Sequence, residues 1–147
     1  MNRRNLIRLA GLALPAGLLA PRLATAADPC TVNLKSRMAG GVYLTRESPG
    51  RFPDKAGGHV PMIDARRTAG NDFDVRVLTA HEMRGYEHYI IKHQLLNWAF
   101  EVMDEHMFDP ERDEAPVSNF TVTEYGGPLY ALSMCNEHDV WLSGVLL

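Results

Sequence analysis

The feature that most constrains the fold of this chain is a succession of short apolar runs separated by turn residues. In one of them Phe73, Val75 and Val77 alternate with Asp74 and Arg76, which is the two-residue period of a half-buried strand. Runs that we interpret as strands cover residues 42–45, 60–64, 73–77, 89–96, 99–108, 120–123, 129–134 and 140–147. Short strands at this spacing, with glycine and proline between them, predict an all-β sandwich of about seven strands.

The segment 94–107 is the ambiguous part of this pattern. Its apolar residues also fit one stripe of a helix: Leu95, Leu96, Ala99, Val102 and Met103. Strand is the preferred interpretation. The chain shows no internal repeat and no domain linker after its N-terminal segment.

That N-terminal segment has the pattern of a bacterial export signal. A twin-arginine pair at residues 3–4 precedes a moderately apolar run over residues 9–20 and an A-x-A cleavage site at residues 24–26. The run is shorter than the roughly 20 apolar residues that a membrane-spanning helix needs. We therefore expect a twin-arginine signal peptide in residues 1–26, a single mature domain in residues 27–147, and a periplasmic protein without a membrane segment in its mature form.

The expected mature domain is acidic. Without the four arginines of residues 1–26, 11 Lys and Arg stand against 18 Asp and Glu, a net charge of −7. Such a surface argues against nucleic acid and anionic membranes as partners. It would also repel an anionic substrate at long range, so any chemistry on an anion needs a local positive field.

Histidines and one cysteine occupy separate strand ends in the predicted pattern. His59 opens one strand, His81 follows another, His88 opens the next, and Cys135 and His138 lie in the turn between the last two strands. A sandwich can bring such strand ends together at one rim. Imidazole and thiolate groups suit iron, copper or zinc, and not magnesium or calcium.

The spacing of these residues supports a metal site on the condition that a turn lies between His81 and His88. His81 and His88 are seven positions apart, so on one continuous strand they would point to opposite faces; a turn at Gly85 lets them converge. His93 and His106 do not fit the site, and we interpret both as ordinary structural or surface histidines.

The two cysteines, Cys30 and Cys135, permit a different interpretation. In an oxidising compartment a pair of cysteines favours a disulfide. The chain would then be a binding domain with scattered histidines and no metal.

The neighbours of the candidate ligands resemble one family, the superoxide reductases (neelaredoxins and desulfoferrodoxins). Residues 58–61 read Gly-His-Val-Pro, residues 81–83 His-Glu-Met, residues 88–90 His-Tyr-Ile, and residues 135–141 Cys-Asn-Glu-His-Asp-Val-Trp. The family has Lys-His-Val-Pro, His-Pro-Met, His followed by Tyr-Ile, and Cys-Asn-x-His-Gly-x-Trp in the same order. The resemblance covers about residues 55–141.

The resemblance implies an immunoglobulin-like β-sandwich that binds one mononuclear iron, Fe2+ or Fe3+. The implied ligands are four equatorial imidazoles and an axial thiolate: His59, His81, His88, His138 and Cys135. The implied activity is one-electron reduction of superoxide to hydrogen peroxide. It requires an external electron donor that the sequence does not identify, and the sequence leaves homo-oligomerisation open.

Three departures from the family pattern concern the surroundings of the site. Gly57-Gly58 replaces a Glu-Lys pair whose lysine draws in superoxide, Glu82 replaces a proline, and the loop before His88 is one residue longer. Lys55, on the glycine-rich loop, is the candidate replacement for the missing catalytic cation.

The departures also support a second function for the same ligands. A periplasmic metal-binding or electron-transfer protein, with copper in place of iron, would not need the lysine, and Met83 and Met134 lie beside the ligands. A blue-copper site, however, uses two histidines and one cysteine with a weak axial ligand, and not four histidines.

Overall fold

A computed structural model describes residues 32, 34 and 36–147 of the chain. The predicted signal peptide and Cys30 lie outside these residues. The strands are β1 (Met62–Ala69), β2 (Asp72–Leu78), β3 (Ile90–Leu96), β4 (Val102–Met107), β5 (Val117–Val122), β6 (Pro128–Cys135) and β7 (Val140–Leu146). A 3-10 turn, Pro53–Lys55, leads into the short helix α1, Ala56–His59. Within the described part of the chain, no helix is long and apolar enough to cross a membrane.

The seven strands form two antiparallel sheets. One has the order β1-β2-β5 and the other the order β4-β3-β6-β7. The all-β sandwich of about seven strands predicted from the sequence is confirmed. The ambiguous segment 94–107 forms the end of β3, a turn and β4, so the strand interpretation is also confirmed there.

The core lies between the two sheets and follows from their alternating side chains. The three-stranded sheet contributes Phe73, Val75, Val77, Phe120 and Val122, and the four-stranded sheet contributes Leu95, Leu129 and Ala131. In β2, buried residues alternate with exposed ones, as its sequence predicts. The apolar positions are thereby used for packing between the sheets, which leaves the strand ends free to carry polar side chains.

The segment predicted as a strand at residues 42–45 is not one. Tyr43 and Leu44 form only isolated bridges, and Leu44 exchanges backbone hydrogen bonds with Val140 and Leu142 of β7. A single pair of hydrogen bonds is too short a ladder for a strand. Leu44 is nevertheless buried, because its side chain packs against Trp141.

Candidate metal centre

Five side chains from separate elements converge at one rim of the sandwich. His59 is the last residue of α1, His81 follows β2, His88 precedes β3, Cys135 ends β6, and His138 lies in the turn to β7. The structure thus brings all five predicted ligands together. Their sequence separations, up to 79 residues, are bridged by the pairing of β3 with β6 and by the packing of α1 against the β6–β7 turn.

The atoms that face one another are those able to bind a metal. His88 Nε2 lies 3.1 Å from His81 Nε2 and 3.0 Å from His138 Nδ1, and His59 Nε2 lies 3.2 Å from His138 Nδ1. Cys135 Sγ lies 3.6 Å from His138 Nδ1 and 3.8 Å from His81 Nε2. Four ring nitrogens and one sulfur around a common centre are a donor set for a single transition-metal ion.

Burial favours the neutral form of His59, His81 and His138, which is the form that binds metals. His59 and His88 are 4% and 7% exposed. Desolvation is the main cause that lowers the pKa of His59 to about 4, and neighbouring histidines lower it further. Desolvation also lowers the pKa of His81 and of His138. These three rings are therefore uncharged near pH 7 and offer lone pairs to a cation.

Cys135 is a buried thiol in the described structure, with 5% of its surface exposed. Desolvation raises the pKa of its sulfhydryl group. The backbone N–H of Glu137 donates to Sγ at 3.4 Å, an arrangement that favours a thiolate. Because a metal ligand must be the thiolate, metal binding at this site releases a proton.

His59 does not open a strand, as the sequence analysis expected, but ends the short helix α1. The residues Gly57-Gly58, expected to form a turn, lie inside this helix. His59 Nδ1 donates to the carbonyl of Lys55 at 2.9 Å. This hydrogen bond fixes the tautomer whose Nε2 lone pair points at the other ligands.

Asn136 holds the loop that carries His88 against the turn that carries Cys135. Its Oδ1 accepts from the N–H of Tyr89 at 2.9 Å, and its Nδ2 donates to the carbonyls of Tyr86 at 3.3 Å and Glu87 at 3.0 Å. The predicted turn is present, with Gly85 at φ 55°. The sequence analysis did not assign a role to Asn136. Its signal in the sequence was its place in the Cys-Asn-x-His pattern of the resembled family.

The β6–β7 turn is fixed from several sides. Trp141 Nε1 donates to the carbonyl of His138 at 2.7 Å, and the ring of Phe52 meets the His138 ring edge-on at 5.0 Å. Asp139 adopts a left-handed φ of 63°. Its carboxylate pairs with Arg51 at 2.9 and 3.0 Å. These contacts orient the imidazole of His138 within the cluster.

Charged side chains surround the cluster, and the nearest carboxylate, that of Glu137, lies 3.9 Å from His88 Nε2. The Lys55 ammonium is close enough to lower the pKa of both Cys135 and His138. Glu82 lies 3.2 Å from the Arg84 guanidinium, which in turn lies 2.9 Å from His88 Nδ1. Gly57-Gly58 stands in place of the family's Glu-Lys pair, and Lys55 is the lysine whose charge acts on the site. Glu82, which stands in place of a proline, is paired with the Arg84 cation.

The other two histidines lie away from the centre, as predicted. His106 is exposed on β4. His93 is fully buried between the sheets, hydrogen-bonded through both ring nitrogens. The alternative disulfide involves Cys30, which is outside the described residues, so that interpretation stays a prediction.

Fold and site together define a class: a β-sandwich that presents four imidazoles and one thiol at one rim as a mononuclear metal-binding group. A family model described as Desulfoferrodoxin matches residues 52–144, which include all five of these residues. The chain belongs to the desulfoferrodoxin family and is a superoxide reductase-like domain.

Several solved structures that are similar to this chain are superoxide reductases. The superoxide reductase (neelaredoxin) from Ignicoccus hospitalis is 28% identical with a TM-score of 0.61, covering 77% of this chain and 98% of that chain. A variant of the same protein has 28% identity and a TM-score of 0.63, covering 78% and 98%. A variant of the neelaredoxin from Archaeoglobus fulgidus, in the reduced form, has 26% identity and a TM-score of 0.54, covering 63% and 90%. No curated protein matches the chain.

Proposed function

We propose that this protein is an iron-dependent superoxide reductase. The observation that carries the proposal is the convergence of four ring nitrogens and one sulfur at the rim of a desulfoferrodoxin sandwich. In the proposed reaction superoxide gains one electron and two protons and leaves as hydrogen peroxide. An external donor returns the electron to the protein.

The donor set fits one iron better than the other metals considered. Zinc in structural sites takes four ligands, and blue copper takes two histidines and one cysteine with a weak axial ligand. Five strong donors exceed both requirements. When bound, iron supplies the one-electron chemistry by alternating between Fe2+ and Fe3+, with its potential tuned by the thiolate ligand.

The protein's own residues hold and polarise this site. His59, His81, His88 and His138 would hold the metal through the ring nitrogens that face one another. Cys135 supplies the anionic sulfur, which the N–H of Glu137 orients. Lys55 supplies the positive charge that attracts an anionic substrate, and at Cys135 and His138 it opposes the negative charge of Glu137.

We also propose that the protein works in the periplasm after export through the twin-arginine route. The support is the sequence of residues 1–26, with its arginine pair and its A-x-A site. Export of a folded protein would allow the metal to be inserted in the cytoplasm.

Metal analysis and rapid mixing with superoxide test the proposal together. We expect one iron per chain, a visible thiolate-to-Fe(III) absorption band that is lost in Cys135→Ala, and fast oxidation of the reduced protein by superoxide. Lys92→Ala is a matched control, because that lysine pairs with Glu105 on β4 and has no part in the cluster. Copper in place of iron, with no reaction with superoxide, would favour the electron-transfer alternative and contradict the proposal.

A further inference from the structure

A buried hydrogen-bond network lies between the two sheets, and several of its residues are close in sequence to the candidate metal ligands. It consists of His93 on β3, Ser133 on β6, Ser118 on β5 and Thr79, which directly follows β2. All four residues are at most 1% exposed. His93 Nδ1 lies 2.8 Å from Ser118 Oγ, His93 Nε2 lies 2.8 Å from Thr79 Oγ1, and Thr79 Oγ1 donates to Ser133 Oγ at 2.9 Å.

The network permits only one arrangement of protons. Because Thr79 Oγ1 gives its proton to Ser133, it must accept from His93 Nε2–H. His93 Nδ1 then accepts from the Ser118 hydroxyl. Burial lowers the pKa of His93 to about 3, so the ring is neutral near pH 7. A neutral imidazole with both nitrogens bonded has a fixed orientation inside the sandwich.

Three members of this network are close in sequence to candidate metal ligands. Thr79 is two residues before His81, and the N–H of His81 donates to the Thr79 carbonyl at 2.8 Å. Ser133 is two residues before Cys135 on β6 and is the cross-strand partner of His93. His93 lies on β3, the strand that His88 precedes. Ser118 differs from these three, because β5 carries none of the five ligands.

We propose that His93 is a positioning residue of the metal centre, which sets the spacing of the strand ends bearing His81 and Cys135 through Thr79 and Ser133. The inference rests on the proposed metal centre and adds a residue outside its ligand set. An aliphatic side chain would fill the same interior without hydrogen bonds, whereas a buried imidazole is tolerated only when both nitrogens have partners. The directional bonds therefore fix the relative position of strands that apolar packing alone would hold less specifically.

Apolar contacts extend this connection to the thiolate. The ring of Phe108 meets the His93 ring edge-on at 4.9 Å, and Phe108 packs in one buried cluster with Ile90 and Cys135. A shift of His93 would therefore reach Cys135 both through Ser133 and through Phe108. Neither route passes through Ser118.

Two substitutions in the same network separate positioning from core stability. Thr79→Val removes the hydrogen bonds that Thr79 Oγ1 makes to His93 and Ser133 with little change of shape, and it keeps the backbone bond to His81. Ser118→Ala removes the other partner of His93. We expect both variants to lower the melting temperature by similar amounts. Only Thr79→Val should shift the thiolate-to-Fe(III) band of the iron-loaded protein and weaken Co2+ binding by about tenfold or more, the usual effect of losing a group that orients metal ligands.

Ser133→Ala is a second variant, on the Cys135 side, and it keeps the proposal testable if Thr79→Val does not fold. It should shift the thiolate-to-Fe(III) band and weaken Co2+ binding as Thr79→Val does. Unchanged bands and unchanged Co2+ dissociation constants in both, with lowered melting temperatures, would show that the network serves only the core and would overturn the positioning role. Equal loss of Co2+ affinity in Ser118→Ala would overturn it as well. Wild-type protein that binds neither iron nor Co2+ would instead refute the proposed metal centre itself.

Discussion

Acidification should destabilise the metal-free protein through His93, by an amount that the structure fixes. The folded state lowers the pKa of this ring from 6.5 to about 3, because the ring is fully buried. Between these two values the unfolded chain binds a proton that the folded chain excludes, so stability is complete above pH 6.5 and falls as the pH drops towards 3. Each pH unit in that interval amounts to ~1.4 kcal/mol. Lowering the pH from 7 to 5 therefore removes about 2 kcal/mol from the free energy of unfolding.

The assay is urea unfolding of the metal-free wild type and of His93→Gln at pH 7 and pH 5. Glutamine keeps one hydrogen-bond donor and one acceptor but does not titrate. We expect the drop in the free energy of unfolding between the two pH values to be about 2 kcal/mol smaller in the variant. The contribution of His59, whose pKa is lowered to about 4, is present in both proteins and cancels in this comparison.

His106→Gln is the control: it removes the exposed histidine opposite His93 on β4, and although His106 also lowers the pKa of His93, burial of the His93 ring is the larger cause and remains. It should retain the wild-type drop. An equal drop in wild type and His93→Gln would refute the reasoning, because it would mean that His93 is protonated inside the fold or reached by water well above pH 5. A larger drop in the variant would have the wrong sign and would be equally decisive.

Three further predictions concern the surroundings of the metal centre. Asn136→Ala removes the side-chain hydrogen bonds to the loop of His88 and should weaken Co2+ binding by about tenfold, measured by titration of the metal-free protein. Lys55→Ala should slow oxidation of the reduced protein by superoxide severalfold at unchanged iron content, as stopped-flow absorption would show, while Lys55→Arg retains most of the rate. Asp139→Gly should be more stable than Asp139→Ala by about 1 kcal/mol in urea unfolding, because both lose the exposed pair with Arg51 but only glycine tolerates the left-handed φ without strain.

The fold was predictable because its local and global signals agree. Alternation in 73–77 places Val75 and Val77 inside the sandwich, and the structure buries both completely or nearly so. The helical stripe over 94–107 was a coincidence of spacing. Residues 97–101 form the turn between β3 and β4, in which Asn97 bonds to the backbone of Ala99 and Glu101, so no helix can run through it.

The errors arose where distant parts of the chain decide the local structure. The segment 42–45 has strand composition, but only Leu44 bonds to another strand, at the start of β7 nearly a hundred residues away, and its other backbone hydrogen bonds are local turn contacts. His59 was expected to open a strand, yet Ala56 and Val60 pack against Trp141 and Leu44, which favours a helical turn there in spite of two glycines. Sequence periodicity carries no information about such partners.

The candidate metal ligands could be predicted from the sequence, whereas the residues that position those ligands could not. Five ligand-type residues at strand ends are visible in the sequence, because metal ligands belong to few residue types. Asn136 and His93 are not, because their roles depend on which backbone carbonyl or hydroxyl lies within 3 Å in the folded protein. A polar residue within an apolar run has no evident role until the structure shows its hydrogen-bond partners.

The net charge of the chain and the charge at the site also have to be considered separately. A net charge of −7 on residues 27–147 would repel superoxide if the whole surface acted at once. At physiological ionic strength, however, charges beyond ~8 Å are largely screened, so the groups beside the cluster decide the field that a small anion meets. Of these, Glu82 is paired with Arg84 and Asp139 with Arg51. The Glu137 carboxylate lies 3.9 Å from His88 Nε2, and Glu137 and Lys55 act with opposite sign on Cys135 and His138. The two pairs cancel locally, which leaves Lys55 and Glu137 as opposing charges at the cluster, so the lysine is needed to offset the carboxylate that a small anion would meet there.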